Sequence, residues 1–276
     1  MLAEAEDAVQ ETYARWHALP AGQQHAIRSP GAWLTTVASR VCLNVLGSAR
    51  ARRERYVGEW LPEPVPDPAE WITGRSGGTT ADPADRVTLD ESVSMAFLVV
   101  LDSLTPAQRV AFILHDVFGY SFAEVGEIVG RSAAACRQLA SSARGRIHDA
   151  RVPAAPAADQ ASIVRDFKRA WQAKDINALI GLLDPDAIAV GDGGGVVRAA
   201  LQPIEGGEQV ARYFADIASR VPDLALLERT VNGQPGLVGQ RQGVTIAVYA
   251  FDFAGGQITH IWSMLNPAKL RPWARG

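Results

Sequence analysis

The chain has 276 residues, of which 47% are apolar and 21% charged, with a formal net charge of −3. That length suits two or three domains, and the composition excludes a disordered or fibrous chain. Its two cysteines, Cys42 and Cys136, lie far apart within apolar helical patterns, offer no zinc spacing, and read as buried reduced thiols. No signal peptide is read, and no apolar run approaches the ~20 residues of a membrane span, so a cytoplasmic protein with no membrane partner is expected.

Charge is organised locally. Arg40, Arg50, Arg52, Arg53 and Arg55 face only Glu54. Then Glu59, Glu63, Asp67, Glu70, Asp82, Asp85, Asp90 and Glu91 outweigh Arg75 and Arg86. Farther on, Arg131, Arg137, Arg144, Arg146 and Arg151 face only Asp149. Two basic stretches flanking an acidic one produce local fields that the net charge hides.

Residues 2–16 predict an amphipathic helix with Ala5, Val9, Thr12, Tyr13 and Trp16 on one stripe and Glu6, Asp7, Gln10 and Glu11 on another. Residues 17–31 read as a loop or short helix. Ser29-Pro30 opens a second helix as N-cap and first turn. Its apolar face is Trp33, Leu34, Val37, Val41 and Val45, and it turns basic at its end. "EWLPEPVPDPAEW", residues 59–71, carries four prolines and four acidic residues. Proline fixes the backbone there and keeps the strap extended. The Gly-rich stretch after it reads as flexible.

Helical pattern resumes over Val87–Leu101, and three helices are expected within residues 105–150. "RVPAAPAADQ" reads as a second, semi-rigid linker. From Ala161 the pattern changes: helices at about Ser162–Ala173 and Ile176–Leu183, a strand pair around Gly193-Gly194-Gly195, and a helix over Gly207–Arg220. Four strand-like runs follow, with Gly255-Gly256 as a hairpin signal between the last two. The expected architecture is two all-α domains followed by an α+β domain, with helices laid on a curled antiparallel sheet. The boundaries read are 1–58, a linker over 59–85, 86–151, a linker over 152–160, and 161–276.

The segment "GYSFAEVGEIVGRSAAACRQLASSARGRI" carries the strongest signal. A short helix ends at Gly130, and Ser132 caps the next, in which Cys136, Leu139, Ala140, Ala143 and Ile147 share one face. Arg137, Gln138, Ser141, Ser142 and Arg144 are left outward. This is the pattern of a helix-turn-helix. Its outward set suits DNA, because Arg pairs with guanine, Gln with adenine, and Ser reaches phosphate. An ordinary helical hairpin with a solvated basic face is the alternative that the segment alone leaves open.

With those residues in view, "AEDAVQETYARW" and "SPGAWLTTVASRVCLNVLGSARARRERY" resemble the second domain of a bacterial sigma factor. "LDSLTPAQRVAFILHDVFGYSFAEVGEIVGRSAAACRQLASSARGRI" resembles the fourth. The chain is similar to extracytoplasmic-function (ECF) sigma factors of the SigJ type, which carry a fused SnoaL-like C-terminal domain. Trp60-Leu61-Pro62-Glu63-Pro64, Asp192-Gly193-Gly194-Gly195 and Asn266-Pro267-Ala268-Lys269-Leu270, occurring in order, support the narrower match. The resemblance implies a promoter-recognition subunit acting with the RNA polymerase core on promoter DNA. Glu6, Asp7, Gln10 and Glu11 would dock on the polymerase clamp. Trp33, Arg40, Arg50, Arg52, Arg53 and Arg55 would face the minus-ten element, and the loop His17–Pro30 would pocket an unstacked base. Trp33 also reads as a core residue. Arg137, Gln138 and Ser141 would read the minus-thirty-five element, with Arg131, Ser132 and Arg144 on phosphates.

Departures accompany the match: Gly47, Ser142 and Ala268 replace residues common in the family. The first helix of the second domain is also expected to lie upstream of "AEDAVQE", so that domain reads as N-terminally truncated. Trp60, Leu61 and Pro62 are expected to dock on the last domain near Asp192, Gly193, Gly194, Asn266 and Pro267; a plain spacer is the alternative. A small-molecule ligand could occupy that domain, with Trp171, Asp192, Tyr213, Tyr249, His260 and Trp262 as pocket candidates. No catalytic residue, cofactor or metal is assigned. The reading is a sigma factor modulated in cis by its last domain. The alternatives are a SnoaL-like enzyme or ligand sensor fused to a DNA-binding module, and a conventional repressor.

Overall fold

Trp16 and Trp33 decide how the first helices meet. In the computed structural model, which describes residues 2–53, 56–66, 94–149 and 157–274, helix α1 (Leu2–His17) packs on α3 (Pro30–Arg53). The short α2 (Ala21–Ala26) lies between them. The two indoles meet edge to face at 5.2 Å, within the favourable range for such pairs. Counting back from Trp16 in steps of four gives Thr12 and Ala8, and both are buried. Val9 and Tyr13 are 54% and 51% exposed. The expected stripe of Ala5, Val9 and Tyr13 is therefore corrected by about one residue: small side chains, not the large ones, let the helices approach. At the start of α3, Pro30 occupies the first turn and the Ala32 amide donates to Ser29 Oγ at 3.4 Å.

Capping boxes start two of the next helices. Helix α4 (Met95–Ser103) precedes α5 (Pro106–Phe112), where Thr105 and Gln108 satisfy each other's backbone amides. A π-helical turn, Ile113–Val117, extends α5. Helix α6 (Phe122–Val129) opens with Ser121 and Glu124 in the same arrangement, and α7 (Ala133–Asp149) follows. Val110, Ala111, Leu114, Val125, Ile128 and Cys136 form their core, and Leu43 and Leu46 of α3 pack against it. Helices α1–α3 and α5–α7 thus make one compact unit.

The second unit holds residues 56–66, the start of α4, and everything from α8 (Ala157–Ala173) onward. Helix α8 begins inside the stretch read as a linker. After α9 (Ile176–Leu182) come β1 (Leu183–Asp192), β2 (Ile204–Glu205), α10 (Gly207–Arg220), β3 (Ala225–Val231), β4 (Gln234–Arg241), β5 (Val244–Ala254) and β6 (Gln257–Met264). The sheet order is β2-β1-β6-β5-β4-β3. The expected curled antiparallel sheet is corrected in two respects: β1 runs parallel to β6, and the sheet is open rather than closed or strongly curled. The strand pair expected around Gly193–Gly195 forms with a second strand that comes later in the chain. The chain turns at these glycines, with the Val197 amide donating to the Gly193 carbonyl at 3.0 Å, and β1 pairs with β2.

Both sheet faces are covered, so β5 reads as nearly continuous apolar residues. Ala247, Tyr249, Phe251 and Phe253 join Phe167, Trp171 and Phe214 in one cluster. Val248 and Ala250 join Trp262, Met264, Leu61, Met95, Leu270 and Trp273 in another. No described helix is long and apolar enough to cross a membrane.

Candidate nucleic-acid interface and the strap node

Local backbone chemistry builds the α6–α7 turn. Gly130 adopts φ 72° and ψ 37° at the end of α6, a conformation costly for residues with a Cβ. The amides of Gly130 and Arg131 both donate to the Gly126 carbonyl, at 2.9 and 3.0 Å. A Cβ on Gly126 would stand 2.7 Å from the Arg131 carbonyl oxygen, so the turn closes only over glycine. Ser132 then caps α7, its Oγ accepting from the Ala135 amide at 3.2 Å. Ser121's hydroxyl and amide hold the Glu124 carboxyl below its ordinary value, burial opposing weakly.

Cys136, Ala140, Ala143 and Ile147 face inward from α7. Arg131, Ser132, Arg137, Gln138, Ser141, Ser142 and Arg144 are all exposed. They are not equally available. Arg137 lies over the Phe122 ring at 5.3 Å, Arg144 Nε pairs with Asp116 at 2.6 Å, and Gln108 donates to Ser142 Oγ at 3.0 Å. Asp116 therefore already holds the cation assigned to phosphate.

On α1, Glu6, Asp7, Gln10 and Glu11 form an exposed acidic row, and Glu11 pairs with Arg15. Trp33 is partly buried against Trp16. Arg40 is exposed and donates to the Glu127 carbonyl of α6 at 3.2 Å. Arg50, Arg52 and Arg53 end α3, but their side chains lie outside the described residues, as do Arg55 and the strap beyond Pro66.

The strap residues converge on Asp192, which is fully buried at the end of β1. Its Oδ1 accepts from the Tyr56 hydroxyl at 2.5 Å and the Gly194 amide at 3.0 Å. Its Oδ2 accepts from the Leu61 amide at 3.0 Å and Lys269 Nζ at 2.7 Å. Lys269, 2% exposed, also donates to the Leu61 carbonyl at 2.5 Å and sits 3.8 Å from the centroid of the Trp60 ring. Asn266 donates to the Tyr56 hydroxyl at 2.7 Å. A Cβ on Gly194, at φ 66°, would lie 2.6 Å from the Asn266 side chain. Farther along, Trp273 Nε1 donates to the Pro64 carbonyl at 2.9 Å, and Val65 and Asn232 exchange hydrogen bonds of 2.6 and 2.9 Å. Burial and the Asp192 carboxylate both drive the Tyr56 phenol well above its ordinary value.

The structure thus brings Trp60, Leu61, Asp192, Gly194 and Asn266 together, with Pro62 buried beside them. Pro267 is exposed and lines a cavity instead. Lys269 belongs to the third of the short signatures, whereas no motif marks Tyr56, Asn232 or Trp273 for this site. The pocket candidates also divide. Tyr213 and Tyr249 line that cavity, Trp171 fills the core, Asp192 belongs to the strap node, and Trp262 lies behind the sheet. His260 stacks on Trp262 at 5.4 Å. Burial lowers the His260 pKa and raises that of its cross-strand partner Asp252.

Comparison with known proteins places a separate family on each of the two helical segments. The Sigma-70 region 2 family matches residues 2–53 and Sigma-70 region 4 matches residues 94–147. The ECF RNA polymerase sigma factor SigJ of Mycobacterium tuberculosis is 37% identical over 97% of this chain and 86% of its own length. A probable ECF sigma factor, SigI, from the same species is 35% identical over 97% and 87%. The crystal structure of the M. tuberculosis SigJ superposes with a TM-score of 0.74 at 33% identity, covering 99% of this chain and 91% of that one. A SnoaL-like protein from Burkholderia thailandensis matches 40% of this chain and 97% of its own at 19% identity, with a TM-score of 0.33. Two sigma regions bracketing a connector define an RNA polymerase sigma factor. The chain belongs to the ECF sigma factors of the SigJ type.

Proposed function

We propose that the chain recognises promoters through two faces, and that its C-terminal domain governs them in cis by holding the connector. Arg137, Gln138 and Ser141 on α7 read bases of the minus-thirty-five element in the major groove. Arg131, Ser132 and Arg144 contact phosphates, with Arg144 exchanging Asp116 for DNA. Trp33 and the arginines of α3 act at the minus-ten element, and the acidic row of α1 meets the polymerase clamp. RNA polymerase core and promoter DNA are the partners, and the polymerase performs the chemistry.

The observation that carries cis control is the buried Asp192–Lys269 pair closed around Leu61. It holds the connector directly after α3. A plain spacer has no need of a buried ion pair, which is costly to desolvate unless every partner is supplied. A non-enzymatic C-terminal domain is supported by the use of Asp192 in this node. The lining carboxylate of the cavity, Asp216, is tied to Arg220 at 2.8 Å.

Run-off transcription with core polymerase tests the reading. The full chain should direct initiation from a cognate promoter. Arg137→Ala and Gln138→Ala should each lose about 1–3 kcal/mol of discrimination at one base position. Lys269→Met should alter promoter output without changing which bases are read. Initiation independent of α7 substitutions, or absent with core polymerase, would refute it.

A further inference from the structure

A cavity of about 1370 Å³ opens within the second unit, between the 193–201 loop and the β5 end of the sheet. It exceeds the ~300–1,000 Å³ typical of small-molecule sites. Its deep wall is apolar, built from Ile217, Leu224, Ala247 and Leu265 together with two phenols, Tyr213 and Tyr249. Its mouth carries large side chains left in water: Val196 is 81% and Leu201 74% exposed, and Val57, Val197 and Val244 join them.

Two polar features lack partners. Tyr249 is 3% exposed and lines the cavity; its hydroxyl is not sealed in the core and makes no hydrogen bond among the described residues. A hydroxyl so placed is available to donate to an acceptor inside the cavity. Four arginines also line the cavity against the single carboxylate of Asp216. Arg220 and Arg241 are already paired, with Asp216 and Asp223. Arg198 and Arg271 have no ion pair or side-chain hydrogen bond among the described residues and stand exposed.

We propose that this cavity binds an amphipathic organic anion. An apolar body lies between the 193–201 loop and the sheet, an acceptor oxygen takes the Tyr249 hydroxyl, and the acidic group meets Arg198 and Arg271. A flat protein partner could cover the exposed valines but would leave the cavity behind them unfilled. The occupant is sensed by the connector. Val57 and Gly58 line the cavity, next to Tyr56, whose hydroxyl enters the Asp192 node. A Cβ on Gly195 would stand 3.1 Å from Val57, so loop and strap are in contact where the ligand sits. This sensing rests on the cis-control reading above.

The test uses the full chain, without polymerase, and two probes sharing one aromatic body: anilinonaphthalene sulfonate and uncharged phenylnaphthylamine. Saturable binding of one sulfonate probe per chain is expected. R198Q/R271Q should weaken it about tenfold while leaving the neutral probe unchanged. Ala200→Trp, on the lining loop, should exclude both probes with the melting temperature retained. Hydrogen exchange at the Leu61 amide should slow on probe binding, and not in R198Q/R271Q. Equal sulfonate affinity in R198Q/R271Q, non-saturable binding, or a dimer that seals the cavity would overturn the site. Unchanged Leu61 exchange at saturation would overturn the sensing. Because no polymerase is present, failure here leaves the initiation reading intact, and failure of promoter-directed initiation leaves probe binding intact.

Discussion

Lys269 shows how much one residue can organise. Its ammonium is 97% out of water at the side chain and faces a fully buried carboxylate at 2.7 Å. Such a pair holds only while each member is satisfied, and removing one partner leaves a buried charge, typically costing about 3–5 kcal/mol. Lys269→Met should therefore lower the stability of the second unit by roughly 3 kcal/mol in denaturant unfolding. The double change D192N/K269M should cost less than the sum of its parts, because neither partner is then stranded. An additive result would mean that the pair is not coupled.

The Tyr56 phenol gives the same node a pH signature. Its pKa is raised above its ordinary value of 10.0 by burial first and then by its hydrogen bond to Asp192. The folded state therefore holds its proton more tightly than the unfolded chain does. That stabilisation is complete below the unfolded value and is lost as pH rises through the folded one. Thermal melts should show the second unit losing stability above about pH 10, where lysines also begin to discharge. Tyr56→Phe should flatten the curve there, though it also removes a hydrogen bond worth about 1 kcal/mol at neutral pH. Identical alkaline limbs would remove Tyr56 from the linkage.

Among the elements, the α6–α7 turn is the most constrained. Gly126→Ala should destabilise the first unit by roughly 1–3 kcal/mol through steric strain, since the new Cβ meets a backbone carbonyl at 2.7 Å. Circular dichroism melting against wild type measures it; a shift of zero would mean that the turn opens freely. This turn was legible in the sequence because its signals are local: Ser121 and Glu124, Gly130, Ser132, and inward small residues every three or four positions. The four hairpin-linked strands were legible for the same reason. The parallel pairing of β1 with β6 was not, since it joins Asp192 to Met264 with no local mark. The rotation of α1 is not legible from side-chain size, because Ala8 and Thr12 are buried for being small. At the node, the three short sequence signatures located the partners, but Tyr56, Asn232 and Trp273 enter through long-range contacts that periodicity cannot register.

Across the whole molecule, the connector is held at both ends by the second unit. After α3 the chain is fixed through Tyr56, Leu61, Pro64 and Val65. Before α5, Met95 packs in the cluster behind the sheet, 2% exposed, with Asn232 Nδ2 3.8 Å from its sulfur. The length of residues 67–93 then matters less than the anchors that bound it. In a free tether each doubling of length costs only about 0.6 kcal/mol and broadens the reach; in an anchored one the reach is set by the anchors. A Gly/Ser insertion between residues 77 and 78 should leave the preferred spacing of the minus-ten and minus-thirty-five elements unchanged in run-off transcription. Loosening the anchors with Leu61→Ala and Met95→Ala should widen the tolerated spacing, because each change removes a buried side chain worth about 2–5 kcal/mol. If the insertion alone broadens spacing as far as the anchor changes do, the connector acts as a free tether and the C-terminal domain does not set its reach.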